Sequence, residues 1–441
     1  MSRSMSRTLS KMTSSRIASV ATAAVLILSA VACSESTTQD SASTTLAKSC
    51  EATALLDCAR QSVLAPYTPD KPTVATGEPI NLGMINQDNT VAGSFPELSL
   101  AVKAGIEFIN KEMGGVKGRP LTLEVCNTEF SAEGSTNCAQ KFVQQKFPAV
   151  LGGIDVFGNG IDTLADNKIP YVGGIPVSTQ SFSSPNSFQW SGGSQAAAVA
   201  FAWYATEELQ AKKVSIVYGE FGSIAASAQM GKKVLEDKGV SVQMVPYPVM
   251  STDLSPAINA AASSTPDAIF LMAADTGCKG GFDGIAALGI KVASFYVGAC
   301  AAPGIINQVD ATKTNGAYFN VEGPIMGDPP IPDNLLYSGV ITKYGNGLDP
   351  VGAGTVTFRA LMNLYGILNQ IDGDITPAAI TAALEATVDA PNFAGHPYTC
   401  NHKQFVGLPA VCSPQQILAQ IDNRKLSQIT DWIDVGAIYK G

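Results

Sequence analysis

The sequence is poor in groups that carry out chemistry. It has two histidines, His396 and His402, in 441 residues, and charged residues make up only 15% of the chain. So few imidazoles leave little room for a general base or a triad. No G-x-S-x-G elbow and no phosphate-binding P-loop is present, and no G-x-G-x-x-G follows the first strand-like segment. An enzyme is therefore not expected, and no cofactor is called for. The net charge of −9 leaves no basic footprint for nucleic acid. Beyond residue 32 no apolar run reaches the ~20 residues that a spanning helix needs.

The N-terminus has what the rest lacks. Arg3, Arg7, Lys11 and Arg16 occur with no acid, and the apolar run Ile17–Ala32 ends in Ser29-Ala30-Val31-Ala32-Cys33. A basic region, a short apolar core and small residues before a cut describe an export signal over residues 1–32. Its removal deepens the negative charge by four units. Small residues directly before a cysteine resemble a bacterial lipobox, with Cys33 as the lipidated first residue, although Ala30 stands where that pattern prefers leucine. Plain secretion is the alternative, and Met1, Met5 or Met12 can serve as the start. Residues 34–48 are polar and rich in Ser and Thr. Residues 33–77 are read as a flexible tether and short N-terminal extension, with a short helix within Cys50–Val63.

Without Cys33, eight cysteines remain, an even number that favours disulfides in an exported chain. Cys126 ends one predicted strand and Cys138 opens the next helix. Cys400 and Cys412 flank a predicted hairpin. Cys278 and Cys300 each follow an apolar strand, and neighbouring parallel strands would bring them together. Cys50 and Cys58 are left over, and they pair only if a turn interrupts any helix between them. A zinc site from His396, His402, Cys400 and Cys412 is the competing reading of that segment; oxidation of exported thiols favours the disulfide.

The chain is organised around Ile80–Val125. Ile80–Ile85 is apolar, with no charge and no proline, as a buried strand should be, and Asn86–Gly93 is a polar loop at its carboxyl end. Ser94 and Glu97 have capping-box spacing, and Pro96 suits a first turn. Leu98, Val102, Ile106, Ile109 and Met113 mark one helical face; Gly114-Gly115 stops the helix, and Leu121–Val125 starts a second strand. The segment GGVKGRPLTLEV after such a helix resembles the opening of type I periplasmic solute-binding proteins, in the leucine/isoleucine/valine-binding branch of ABC importers. The likeness runs from about Pro79 onward and rests on order and spacing.

The same rhythm continues. Strands are predicted at Ala149–Gly153, Ile169–Gly173, Lys213–Tyr218, Val240–Val245, Ala268–Ala273 and Ala293–Val297, with helices between them. The fold class is α/β, as two doubly wound parallel-sheet lobes joined by a hinge. Residues 78–193 and 326–410 are assigned to lobe 1, and 194–325 and 411–441 to lobe 2, with the proline-rich Asn320–Asp333 as a crossing. Strand-end loops should converge on a cleft. The ligand-facing candidates are Asp88, Asp155, Phe157 and Ser178 in lobe 1, and Phe221, Asp275 and Ala301 in lobe 2. Phe157 and Phe221 would sandwich an apolar or planar ligand.

The resemblance implies a monomeric lipoprotein, anchored to the outer face of the cell membrane, that hands a small molecule to ABC importer permease subunits. A sensing or adhesion module on the same fold is the alternative. Amino-acid binders of the family hold the α-carboxylate with a Ser and a Thr, and the ammonium with a Glu. Here Val156 or Phe157 falls at the Ser position, Val177 or Ser178 at the Thr position, and Cys300 at or beside the Glu position. No acid lies within Gly298–Ala302, although Asp275 stands one strand over. The expected ligand is therefore not a standard aliphatic amino acid.

Overall fold

Ile80–Asn86 (β1) is a buried strand because nothing in INLGMIN needs water except its two asparagines. A computed structural model describes residues 54–88, 94–273, 275–323 and 331–441. The expected signal peptide, the lipidation site Cys33 and Cys50 lie outside the described residues. The described residues begin with α1 (Leu55–Ala59) and continue through β1, α2 (Pro96–Lys111), β2 (Leu121–Asn127), α3 (Ala132–Gln144), β3 (Ala149–Gly152), α4 (Asn159–Asp166), β4 (Tyr171–Val172), α5 (Thr179–Ser183) and β5 (Ser187–Phe188). These five strands form one parallel sheet in the order β2-β1-β3-β4-β5.

A second series follows: α6 (Gly193–Glu207), β6 (Lys213–Gly219), α7 (Gly222–Asp237), β7 (Ser241–Tyr247), α8 (Ser255–Ser263), β8 (Ala268–Met272), α9 (Asp275–Ala287), β9 (Ala293–Tyr296) and β10 (Tyr318–Val321). Then α10 (Pro332–Tyr344), α11 (Gly354–Gln370) and α12 (Pro377–Glu385) return to the first lobe, and β11 (Ile417–Asp422) and β12 (Lys425–Gln428) complete the second sheet. Its order is β12-β11-β10-β9-β8-β6-β7, antiparallel only at β10/β11 and β11/β12. Two lobes result, each with its own apolar core. In both sheets the strand order reverses beside the first strand of the series, at β1/β3 and β6/β8. At such a reversal the helices leave opposite faces and a crevice opens beyond the strand ends.

Several expectations need correction. The short helix expected within Cys50–Val63 is α1, but it does not stand apart as an extension: Leu55, Leu56, Cys58, Ala59 and Leu64 are buried in the core of lobe 1, and α1 packs on α10. The N-cap of α2 is Phe95, one residue after Ser94, and Pro96 occupies the first turn. The stretch read as a plain crossing at 320–333 contains the end of β10 and the start of α10. No regular hairpin joins Cys400 to Cys412; instead Val411 bridges Gln189 in parallel, tying this segment to the edge beyond β5. The pairings Cys126–Cys138, Cys278–Cys300 and Cys400–Cys412 are formed. The last consumes both thiols of the alternative zinc set. Cys58 is disulfide-bonded too, to a partner outside the described residues. Among the described residues no helix is long and apolar enough to cross a membrane.

Candidate functional site

The polar residues that terminate the apolar strands set the geometry of lobe 1. Asn86, at the end of β1, accepts from the Ile154 amide (3.0 Å) and donates to the Phe95 carbonyl (2.9 Å) and to Asp88 Oδ1 (3.0 Å). Asn127, at the end of β2, accepts from the Asp88 amide (3.0 Å) and donates to its carbonyl (2.7 Å). Asp88 is thus fixed beyond the carboxyl ends of β1 and β2. Burial, opposed by the Asn86 bond and by Lys103, raises its carboxyl above the ordinary value.

Asp155 follows β3 but turns inward. Its Oδ2 accepts from Ser135 Oγ of α3 (2.6 Å) and its Oδ1 from the Gly158 amide (3.0 Å), with the side chain nearly fully buried. Ser135 Oγ in turn accepts from the Gly160 amide (2.7 Å). Desolvation raises the Asp155 carboxyl despite these bonds. Desolvation first, and the Asp155 charge second, push the Tyr171 phenol well above its usual range. Asp155 therefore positions the loop that carries Phe157, and its oxygens are engaged within the lobe.

Phe157 is half-buried, with its ring edge-on to Phe130 (centroids 5.3 Å apart). Phe221 is the extended residue before α7, also half-buried. No ring contact joins Phe157 to Phe221 among the described residues. Ser178 caps α5 in a reciprocal box with Ser181. Gly158 packs beside it, since a Cβ there would lie 2.6 Å from Ser178 Oγ. Across the gap, Ser223 of α7 donates its hydroxyl to the Val177 carbonyl. The loops after β4 and β6 therefore meet, and the two lobes touch where the strand-end loops face one another.

In lobe 2, Ala301 ends a short 3-10 turn, Gly298–Ala301, whose Cys300 is bonded to Cys278 of α9. Asp275 opens α9, and its side chain is outside the described set. The Gly298 amide donates to Asn320 Oδ1 (2.7 Å), and Asn320 Nδ2 donates to Gln416 Oε1 (2.9 Å). Sequence reasoning missed Asn86, Asn127, Ser223, Asn320 and Gln416. An asparagine closing a strand was the available signal for two of them, Asn86 and Asn127. Among the described residues no group of three or more His, Cys, Asp or Glu side chains is placed to hold a metal ion.

A family model described as "Periplasmic binding protein" matches residues 79–407. No curated protein sequence matches. Solved structures do: a leucine-binding protein, LivK, from Thermotoga maritima is 17% identical with a TM-score of 0.66, over 80% of this chain and 98% of that one. LivJ from Streptococcus pneumoniae, a branched-chain amino acid transporter substrate-binding protein in complex with isoleucine, is 14% identical with a TM-score of 0.66, over 81% of this chain and all of the other. A substrate-binding periplasmic protein from Ralstonia solanacearum has a TM-score of 0.68 at 16% identity, over 80% of this chain and all of its own. These likenesses carry the fold, and the family model carries the membership. The chain belongs to the periplasmic binding protein family, whose members are extracytoplasmic binders rather than enzymes.

Proposed function

We propose that this protein captures a small molecule between its lobes and delivers it to the permease of an ABC importer. The observation that carries the reading is the meeting of strand-end loops from both sheets, joined by the Ser223–Val177 hydrogen bond. Residues 78–193 and 326–410 serve as one jaw and 194–325 and 411–441 as the other. The segment ahead of α1 serves as the leash from a lipidated Cys33. That anchor is checked by Cys33→Ser, which should move the protein from the membrane fraction to the soluble one; unchanged partition and mobility would remove the anchor from the proposal.

The ligand we infer differs from those of the amino-acid binders. The lobe 2 corner at Gly298–Ala302 contains no acid and is held by a buried disulfide. An ammonium buried against it would lack its charge partner, at a cost of several kcal/mol. A less polar molecule fits better, an aromatic or aliphatic carboxylate or amide. Its apolar body would lie near Phe157 and Phe221 and its polar end near Ser178, with Asp88 and Ala301 on the walls. Asp275, one strand over, is the lobe 2 acid that would reverse this. A calorimetric panel of aliphatic amino acids and of aromatic and aliphatic carboxylates and amides tests it. Tight, one-to-one binding is expected within the second group. Binding of leucine, isoleucine or valine that disappears in Asp275→Ala would overturn the ligand class.

A further inference from the structure

Three segments connect the lobes: the stretch between β5 and α6, the stretch after β10, and the stretch before β11. One carboxylate oxygen sits among them. Glu322 Oε1 accepts from Ser191 Oγ (2.8 Å) and from the Gly192 and Gly193 amides (3.1 and 3.2 Å) of the first crossing, and from Gln416 Nε2 (3.3 Å) of the third. Every one of these bonds runs between different crossings. Rotation at a hinge changes the torsions of just such residues, so these are the bonds that opening would strain.

The second observation lies on the lobe 1 side. Arg359 of α11 is 5% exposed. Its Nε and Nη2 donate to the Phe393 and Ala394 carbonyls (3.0 and 2.9 Å), while Nη1 is buried with no partner among the described residues. A buried guanidinium nitrogen without an acceptor is costly and calls for a reason. The reason stands one residue from Glu322. Gly323 lies so close that a Cβ there would be 2.7 Å from Arg359 Nη2, and the Glu322 and Asp333 charges both act on the guanidinium. Asp333 is already engaged, accepting from the Ala394 and Val63 amides (2.7 and 3.1 Å). Glu322 is the carboxylate left to move.

We propose that Glu322 is a two-position hinge switch: it clasps Ser191, Gly192, Gly193 and Gln416 when the lobes touch, and turns onto Arg359 Nη1 when they part. The switch gives each state a partner for the same charge, so neither leaves a carboxylate stranded at the hinge. It also connects the cleft to the hinge, because Gln416 is bonded to Asn320 and Asn320 to Gly298, beside the Cys300 corner. This rests on the two-lobed capture reading above.

The test uses the full mature chain without added ligand, spin-labelled through Gln144→Cys in lobe 1 and Lys291→Cys in lobe 2, with inter-lobe distances read by pulsed electron resonance. Ser191→Ala removes a closed-state donor and should raise the open-to-closed ratio about fivefold, the worth of one net hydrogen bond. Arg359→Met removes the open-state acceptor's partner and should lower the ratio by a similar factor. If that variant loses its cooperative melt, Arg359→Gln carries the same expectation. In a Glu322→Ala background neither substitution should move the ratio. Shifts of the same sign, or shifts that survive Glu322→Ala, overturn the switch but leave hinge closure standing. A single distance unmoved by every variant overturns the switch and the hinge reading together.

Discussion

Gly174→Ala should lower the stability of lobe 1 by about 4 kcal/mol, one of the largest effects available to a single methyl group in this chain. Gly174 has φ +97, a conformation that L side chains rarely adopt, and strain of this kind costs about 1–3 kcal/mol. The new Cβ would lie 2.7 Å from the Gly152 carbonyl carbon and 2.8 Å from the Gly152 and Gly153 carbonyl oxygens. Those neighbours are backbone, so no side-chain end can swing aside, and overpacking adds about 1–3 kcal/mol more. The pairs Gly152-Gly153 and Gly173-Gly174 lie back to back where β3 and β4 end. Their contact brings the loops carrying Phe157 and Ser178 side by side. Calorimetry should show the lobe 1 transition falling by about 8–16 °C. Gly118→Ala is the control, since Gly118 has φ +87 but open space around it, and only the strain should be felt. Equal losses in the two variants would mean that the glycine contact does not matter.

That contact marks a boundary of what the residues alone disclosed. β1, β6 and β8 were legible because each is almost wholly buried and reads as a largely apolar run, whereas β2, only partly buried beyond Leu121, was legible from its place after the helix stop at Gly114-Gly115. The alternation of such runs with helical periodicity gave the two sheets and the disulfide between the ends of β8 and β9. α9 was hidden. Its sequence, DTGCKGGFDGIAA, carries four glycines that argue against a helix by propensity. The structure supplies the reason. Gly281 packs directly on Leu271 of β8, and a Cβ on Gly280 would fall 2.7 Å from Leu254. Close approach of this helix to its sheet outweighs the cost of its glycines. Proline density concealed α10 in the same way, since Pro332 reads as a breaker in sequence but occupies a first helical turn.

The site was legible as a set of loops and less so as a set of atoms. Strand-end position picked out Asp88, Asp155 and Ser178, which follow β1, β3 and β4 in the structure. The direction of the Asp155 carboxylate depends on Ser135, twenty residues away on another element, and no local pattern encodes that. Ser223 and Glu322 escaped for the same reason: each matters through a partner in the other lobe or on another crossing.

Removing the Cys278–Cys300 bridge should cost lobe 2 about 3 kcal/mol, by the loop-entropy estimate for its separation of 22 residues. Both cysteines are fully buried, so paired alanines leave a small void and no new polar group. The bridge joins the start of α9 to the turn after β9, above strands already in parallel register from Ala268↔Ala293 to Leu271↔Tyr296. It is therefore not needed to align β8 with β9, and the fold should survive its loss. What it holds is the corner Gly298–Ala301, whose other tie is the Gly298 amide on Asn320. Cys278→Ala with Cys300→Ala should lower the lobe 2 melting point by about 6–12 °C. It should also speed amide exchange at residues 298–302 far more than in β8. The pair Cys126→Ala and Cys138→Ala closes a shorter loop of separation 12. It should cost about 0.5 kcal/mol less by loop length alone and leave exchange at residues 298–302 unchanged. If removing the Cys278–Cys300 bridge leaves exchange at the corner as slow as in the native protein, packing and not the bridge makes that wall rigid, and only the absence of acid there then disfavours an ammonium.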